Sequence, residues 1–515
     1  MVLGSSLLEP DSELEDFLRA GVPVSPSFGQ TAHWEACVGT ALTLGDRVLD
    51  LYRRRVDLGV AQGETVLNAV QCCQLLLRSC VEAKLLHLLR AYSPSTLGPQ
   101  PSLVDNRLQD FWEELLGHSL GAPARRQMEL SVSRGGLGVG TLALRHASAY
   151  LGSWALCLAS VLQRLPVGDA TLLREGLVRG SGSLRSVEHV AHACHQLQSL
   201  GVSDEKLPQW TSLALLPVRQ AQKFFARQVL AVKFKQLLAS LDVPGRARLL
   251  SCGGVGAGAF LLCTPSEVDG TEVLDGAFCH AVRWRLGLPV CLPDCRCCRF
   301  YAKTAGRRCG QLLDELGDHL VCCSVGGHKT FLHSRLVSVV RGLLRDSGAW
   351  VPDREVMVLP WGQKPGEAAR LEIEYVVAGV RRHVDVVVKH PRAKRVVSEA
   401  ASCAGAAAAE GEADKLRRYP AVPEAGLHEV VPFAVESFGR LGSSALRLVK
   451  DACQRVKEAD GRFSGWHGVV LCQRWQARLS CALVSGLWDG AAACWGYSGA
   501  RAGLWDEVAD FSRGA

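Results

Sequence analysis

Apolar residues recur at helical spacing over residues 34–89, where Val66, Val70, Leu75, Leu76 and Leu77 lead into Val81, Leu85 and Leu88. Positions three and four apart share one face of a helix, so the stretch predicts a helical hairpin. The same period continues over 105–118, 142–165, 186–200 and 218–241, with glycine and proline between the runs. The uncharged run 147–163 is shorter than the roughly 20 residues a membrane crossing requires and contains Ser and Gly, which predicts a buried helix. After about Val290 the pattern changes. Residues 332–346 predict an amphipathic helix, 355–359 a short strand, and 371–377 with 382–388 two strands joined at Ala378-Gly379. An alanine-rich helix over 398–419, a strand over 430–436 and a helix over 443–457 follow, an order that fits a small α/β domain. The Trp-rich segment from Gly465 predicts a final helical piece.

Composition narrows this picture. At 515 residues the chain is too long for one core and suggests about three domains. Apolar residues make up 48% and charged residues 21%, enough to fold and little enough to exclude long disorder. A formal charge of +7 is small over this length, so any case for nucleic-acid binding rests on local clustering. Glu9, Asp11, Glu13, Glu15 and Asp16 stand where a secretory signal would need a basic start and an apolar run, so the expected location is nuclear or cytoplasmic. In a reducing compartment 21 cysteines point to buried thiols or metal ligands rather than a disulfide framework. Cys72, Cys73, Cys80, Cys157 and Cys194 lie in apolar helical segments and read as small hydrophobes. Two glycine-rich loops, 135–140 and 253–258, lack the strand and the Gly-Lys-Ser/Thr of a phosphate cradle and read as tight turns.

Two constellations carry chemistry. Residues 291–323 crowd seven cysteines with His319. Zinc needs four tetrahedral ligands, and the preferred set is Cys298, Cys309, His319 and Cys323, with Cys295 or Cys297 as substitutes for the first and Cys322 for the last. Three Cys and one His leave no open position for water, so such a metal is structural; the alternative is a set of unmetallated thiols. The second constellation is acidic. A magnesium-dependent nuclease needs two or three oxygen ligands near the scissile phosphate and a lysine for the attacking water. Glu372 and Asp385 lie on strands that a hairpin brings side by side, and Glu355 can supply a third carboxylate. Asp385 sits in the apolar run 384–388, where an unpaired carboxylate is costly to bury. Lys389 and Lys415 are the candidate lysines, with Tyr419 one helical turn beyond Lys415. Lys389, Arg392, Lys394, Arg395, Arg417 and Arg418 would neutralise phosphates around the site. The alternative is a set of salt bridges between strand carboxylates and a basic helix.

The order Gly317-Asp318-His319-Leu320-Val321-Cys322-Cys323, Gly326-Gly327, His333, Glu355, Arg370-Leu371-Glu372, Val384-Asp385-Val386-Val387-Val388 and Lys415-Leu416-Arg417-Arg418-Tyr419 resembles the C-terminal region of non-LTR retrotransposon polyproteins that carry a restriction-like endonuclease. Upstream, residues 127–130, Gly135-Gly136-Leu137-Gly138 and Ala149-Tyr150-Leu151-Gly152-Ser153 resemble the segment after the polymerase palm, and Arg285-Leu286-Gly287-Leu288-Pro289 the lead into the knuckle. The likeness spans about residues 20–456. It implies helical regions over 1–118 and 119–290, a zinc knuckle over 291–330, a restriction-endonuclease-like α/β domain of PD-(D/E)XK type over 331–460, and a tail over 461–515. It also implies structural Zn, catalytic Mg with Glu372 and Asp385 as ligands, Glu355 as an accessory acid, and Lys415 or Lys389 for the water. The implied partners are a DNA target and element RNA, with no membrane. Two positions depart from the family pattern: Leu371-Glu372 stands in place of Pro-Asp, and Val387 in place of the lysine two residues after the second acid. A reverse transcriptase needs an aromatic-x-Asp-Asp turn, and no two Asp are adjacent here, so no polymerisation is expected. The competing expectations are a metal-dependent DNA nickase, an inactive zinc-containing nucleic-acid-binding protein, and a decayed element fragment.

Overall fold

The helical periodicity of the first half becomes a stack of helices whose apolar faces close on one another. The computed structural model describes residues 32–62, 68–208, 210, 220–291, 296–302, 306–325, 327–353, 355–358, 361, 368–420, 429–459 and 465–495. Helix α1 (Ala32–Gln62) pairs with α2 (Ala69–Leu76), which continues through a π-helical turn at Leu77–Glu82 and two further turns to Ala91. That is the expected hairpin. It is followed by α3 (Gln100–Leu116), α4 (Leu142–Arg164), α5 (Val167–Arg179), α6 (Arg185–Ser199), α7 (Ala221–Ser240), α8 (Val243–Cys252) and α9 (Asp275–Leu286), joined by shorter turns. The periodicity did not separate α5, α8 and α9 from their connections. About 64% of the described residues are helical, and among them the sheet is confined to the C-terminal part. Among the described residues no helix is long and apolar enough to cross a membrane.

One apolar core gathers α1, α2, α3 and α9, while a second is made by α4 to α7 around Tyr150, Trp154 and Phe225. Of the five cysteines read as small hydrophobes, Cys73 is buried, but Cys157 is exposed because it falls on the outer side of α4 beside exposed Leu156. The glycine loops are turns that meet each other. Gly254 N–H donates to Ser133 O, and a side chain on Gly136 would lie 2.0 Å from the Leu130 carbonyl, so only glycine fits there. Buried Arg285 clamps both loops, donating to Gly136 O, Ala257 O and Val132 O at 3.2, 2.7 and 2.7 Å. Their amides and carbonyls are spent on packing.

The C-terminal part begins with a short hairpin, β1 (Tyr301–Ala302) and β2 (Arg307–Arg308), and a one-turn helix, α10 (Asp318–Cys322). Helix α11 (His328–Asp346) then leads to β3 (Val356–Val358), β4 (Ala369–Leu371), β5 (Ile373–Val377) and β6 (Val380–Lys389). The chain continues through α12 (Val397–Ala400), α13 (Ala406–Arg418), β7 (Glu429–Glu436), α14 (Ser443–Ala459) and α15 (Gly465–Trp495). The main sheet has the order β5-β6-β7, antiparallel then parallel, and α12 and α13 make the crossover. Ala378 and Gly379 both take positive φ, 50° and 79°, the two-residue turn whose twist matches a hairpin. Val384 and Val386 enter the core between α11, α14 and α15, so the residues between them face the other side of the sheet.

Two expected elements are interrupted. The strand over 371–377 breaks at Glu372 into β4 and β5, because β4 pairs with β3 while β5 pairs with β6. The alanine-rich helix over 398–419 breaks at 401–405, where Gly405 takes φ 90° and restarts the chain as α13. The tail also has a larger role than its position suggests. Helix α15 lies across α11 and α14, with Trp475 buried against them and Trp488 and Trp495 packed beside His280 of α9. Truncating a buried Trp removes its transfer energy and leaves a cavity, so Trp475→Ala is expected to cost about 3–5 kcal/mol in denaturant unfolding, where an appended tail would cost almost nothing.

Candidate metal centres

The knuckle is assembled from two local structures. The β1–β2 hairpin brings Cys298 and Cys309 together, with Cys309 N–H donating to Phe300 O at 2.8 Å and Gly310 N–H to Cys298 O at 3.0 Å. Helix α10 places His319 and Cys323 four residues apart on one face, and the Asp314 carboxylate accepts the N–H groups of Asp318 and His319 at its start. The four ligand atoms lie within 4.8 Å of one another. Cys298 Sγ and Cys323 Sγ are 3.8 Å apart, and Cys309 Sγ and His319 Nε2 are 3.5 Å apart. Zinc–sulfur bonds of about 2.3 Å in a tetrahedron give sulfur–sulfur edges of about 3.8 Å. The cluster can therefore hold a zinc-like ion with little rearrangement. Cys297 and Cys322 are exposed and outside the quartet, and Cys295 lies outside the described residues. A fifth sulfur, Cys494 of α15, sits 3.9 Å from Cys298 Sγ and accepts the Arg299 N–H. It ties the C-terminal helix to the knuckle, a contact between residues nearly 200 positions apart that no local pattern carries.

The second centre lies where the β5–β6 pairing ends. The last pair is Ile373 with Val384, and one step further the register sets Glu372 opposite Asp385. Beyond that pair β5 no longer pairs with β6, and His333 Nε2 of α11 donates to the Val386 carbonyl at 3.1 Å. The same ring nitrogen is 3.5 Å from Glu372 Oε1, and ligand atoms of His333, Glu372 and Asp385 all fall within 4.8 Å of one another. Lys415 of α13 reaches across to Asp385, Nζ to Oδ1 at 2.7 Å. Arg341 holds the Glu372 backbone by donating to its carbonyl. Tyr419, just past α13, packs on Trp361 with ring centroids 5.4 Å apart.

The electrostatics are lopsided: two carboxylates share one ammonium. Two like charges about 5 Å apart repel by roughly 3 kcal/mol at an effective dielectric near 20. Burial, and then the charge of Asp385, push the Glu372 carboxyl up to about 7. Glu372 Oε2 is buried with no hydrogen-bond partner. Burial first, and then Asp385, raise Tyr419 to about 12, so its phenol stays protonated. Burial lowers His333 below its ordinary value, which favours the neutral ring. A carboxyl with one oxygen left without a hydrogen bond, beside a second acid and a histidine ring, offers donors that could hold a divalent cation.

Other expected site residues go elsewhere. Lys389 faces the same side of the sheet as Asp385 but lies two pleat repeats further along, and its Nζ pairs with Asp414 at 2.7 Å and Glu410 at 3.7 Å. Glu355 is exposed and bound to Arg370 across the β3–β4 pair, outside the cluster. Arg392 is not at a nucleic-acid surface. Its guanidinium is nearly buried and pairs with Asp318 Oδ2 at 3.1 Å, while Asp318 Oδ1 meets His390 Nε2 at the same distance and His390 Nδ1 meets Ser437 Oγ at 2.8 Å. This chain of contacts bolts α10 of the knuckle to the ends of β6 and β7. Arg395 and Arg417 are exposed but paired with Glu410 and Asp414, whereas Lys394 and Arg418 are exposed on the rim. His333 stood in the motif order without a role. The available signal was a histidine one residue past Leu332, at the start of an apolar helix face.

No family model matches this chain, and no curated protein does. The reading of both centres therefore rests on their geometry and on the motif order.

Two outcomes follow from the centres. Metal analysis of the dialysed protein is expected to give close to one equivalent of zinc per chain, and Cys309→Ala to lose most of it; less than about half an equivalent in the unaltered protein would remove the knuckle assignment. The second concerns pH. Glu372 holds its proton more tightly folded, at about 7, than at its ordinary value of 4.5. Its contribution to stability is therefore present at acid pH and is lost as pH rises through about 7. In zinc-loaded protein without added divalent cation, thermal unfolding should show Glu372→Gln stabilised relative to the parent at pH 8, with the difference vanishing or reversing at pH 4.

Proposed function

We propose that the chain is a retroelement-derived protein whose C-terminal part is a metal-dependent DNA endonuclease of restriction-like type. It would nick one strand and would carry no polymerase activity. The observation that carries this reading is the meeting of His333, Glu372 and Asp385 ligand atoms within 4.8 Å, with the Lys415 ammonium 2.7 Å from Asp385. What supports the retroelement origin is the order of motifs from Gly317 to Tyr419.

In this reading Glu372 and Asp385 hold the divalent cation from adjacent strand ends. The ion, when bound, supplies a Lewis acid for the phosphoryl oxygen and lowers the pKa of a water. Lys415 is the residue for the water, since Lys389 is committed to Asp414. Its ammonium would shift from Asp385 toward the attacking water and the negative charge that develops on the phosphate. Attack on phosphorus breaks the bond to the 3′ oxygen and leaves a 3′-hydroxyl, the group a primer needs. Tyr419 is buried against Trp361, and its neutral phenol, hydrogen-bonded to Asp385, would steady that carboxylate as a ligand. Lys394 and Arg418 on the rim are placed to contact backbone phosphates on either side. The knuckle, bolted to β6 through Asp318, would steady the strand that carries Asp385 and present Arg307 and Arg308 to nucleic acid.

One observation favours the binding-only alternative: the Lys415 ammonium, 2.7 Å from Asp385 Oδ1, already gives that carboxylate a positive neighbour without a metal. Incubation with supercoiled plasmid and a divalent cation separates the two. Open-circular product is expected from the parent, with at least a hundredfold loss in Asp385→Asn and a loss of tenfold or more in Lys415→Ala, in the range of removing a general acid or base. Nicking that persists in Asp385→Asn eliminates the site, and retarded DNA without nicking supports the binding protein.

A further inference from the structure

We propose that the cation at the Glu372–Asp385 site is manganese(II), chosen over magnesium by His333 acting as a ligand through Nε2. The inference rests on the cation site argued above and adds which ion it takes and which residue decides.

The arrangement of His333 is more than a hydrogen bond needs. A purely structural histidine would satisfy the Val386 carbonyl and could do so from any approach. Here the same Nε2 is also 3.5 Å from Glu372 Oε1, and a ring nitrogen of His333 lies within 4.8 Å of a carboxylate oxygen of Asp385. The other oxygen of the same Glu372 carboxylate, Oε2, is buried with no hydrogen-bond partner. A carboxylate oxygen in that position needs a positive partner, and Lys415 is given to Asp385. The donors that meet are therefore one imidazole nitrogen, two carboxylates and, past the end of the β5–β6 pairing, one main-chain carbonyl. In this structure the Nε2–H donates to the Val386 carbonyl at 3.1 Å; holding an ion requires the ring proton to move to Nδ1, after which the Nε2 lone pair and the Val386 oxygen would both face the same space.

Donor chemistry then selects the ion. Magnesium takes oxygen ligands in a near-ideal octahedron and gives up water reluctantly, so an imidazole in its inner sphere is a poor match. First-row transition ions accept imidazole, and among them manganese also suits carboxylate, carbonyl and water. Softer ions have a better home in the same chain. The three sulfurs and one nitrogen of Cys298, Cys309, Cys323 and His319 form the thiolate set that zinc prefers. The two centres thus sort metals by ligand softness, zinc to the knuckle and manganese to the sheet edge. The difference is built into α11, since His333 is its one contribution to the cluster.

The test is direct binding. Manganese(II) chloride and magnesium chloride are titrated separately into the zinc-loaded full chain by calorimetry, with the manganese electron paramagnetic resonance signal as a second readout of free ion. Manganese is expected to bind one site more tightly than magnesium. His333→Gln should weaken manganese by about tenfold or more, the scale of losing a supporting group at a metal site, and leave magnesium unchanged. Asp385→Asn should weaken both. His333→Asp, which replaces nitrogen with oxygen, should move the preference toward magnesium, and it decides the question if the glutamine variant fails to fold. Equal affinity of the parent for both ions, or an unchanged manganese affinity in the folded His333 variants, overturns the proposal. Manganese bound through His333 with no plasmid nicking leaves this inference standing and removes the nuclease reading; nicking that magnesium supports equally well in parent and variant does the reverse.

Discussion

Glu372 and Asp385 face each other one step past the last pair of the β5–β6 hairpin, in a space where a single ammonium answers two carboxylates. That imbalance is the constraint around which the C-terminal part is arranged. The interruption between β4 and β5, the Arg341 bond to the Glu372 carbonyl and the approach of α11 all serve to hold an acid that would otherwise turn to solvent. A site of this kind is costly to keep in the folded state. The surrounding packing has to hold it in place.

The bracing comes from three directions. From below, Val384 and Val386 anchor β6 in the core of α11, α14 and α15, so the strand cannot slip by one residue without turning its valines outward. From the knuckle, Asp318 reaches His390 and Arg392 at the end of the same strand. From the helical half, Arg440 donates to the Leu250 carbonyl, and the glycine loop at 253–258 fits against Gly439. The loop that could be mistaken for a phosphate cradle is thus a close-approach surface. Its glycines are there because a Cβ would collide with Arg440, Arg285 or the backbone.

The knuckle and helix α15 depend on each other in the same manner. Fewer than 35 residues separate Cys291 from Cys323, too few to bury a core of their own, so the segment leans on an external helix and has a ligand quartet that could hold a metal. Cys494 and the Trp488–Trp495 pair are the external part, and they also pack on α9. The cysteine quartet, the C-terminal helix and the sheet edge are connected through Cys494, Asp318 and Trp475.

How much of this the chain declares locally follows from the range of each interaction. Helices α1 to α4, α6 and α7, the Ala378-Gly379 turn, strands β6 and β7 and the ligand quartet of the knuckle could be read from the sequence, because periodicity, turn chemistry and ligand type act over a few residues. Glu372 and Asp385 were legible for the same reason: an acid in an apolar strand, and another across a two-residue hairpin. The choice of Lys415 over Lys389 was not, since both lie within reach of Asp385 on paper and only the acidic face of α13, Glu410 and Asp414, decides which lysine is free to turn inward. His333, Asp318, Arg392 and Cys494 depend on partners 53 to 196 positions away. A one-dimensional pattern states what a residue can do, but which groups share a buried volume is settled by packing, where the cost of leaving a charge without a partner selects among the possibilities.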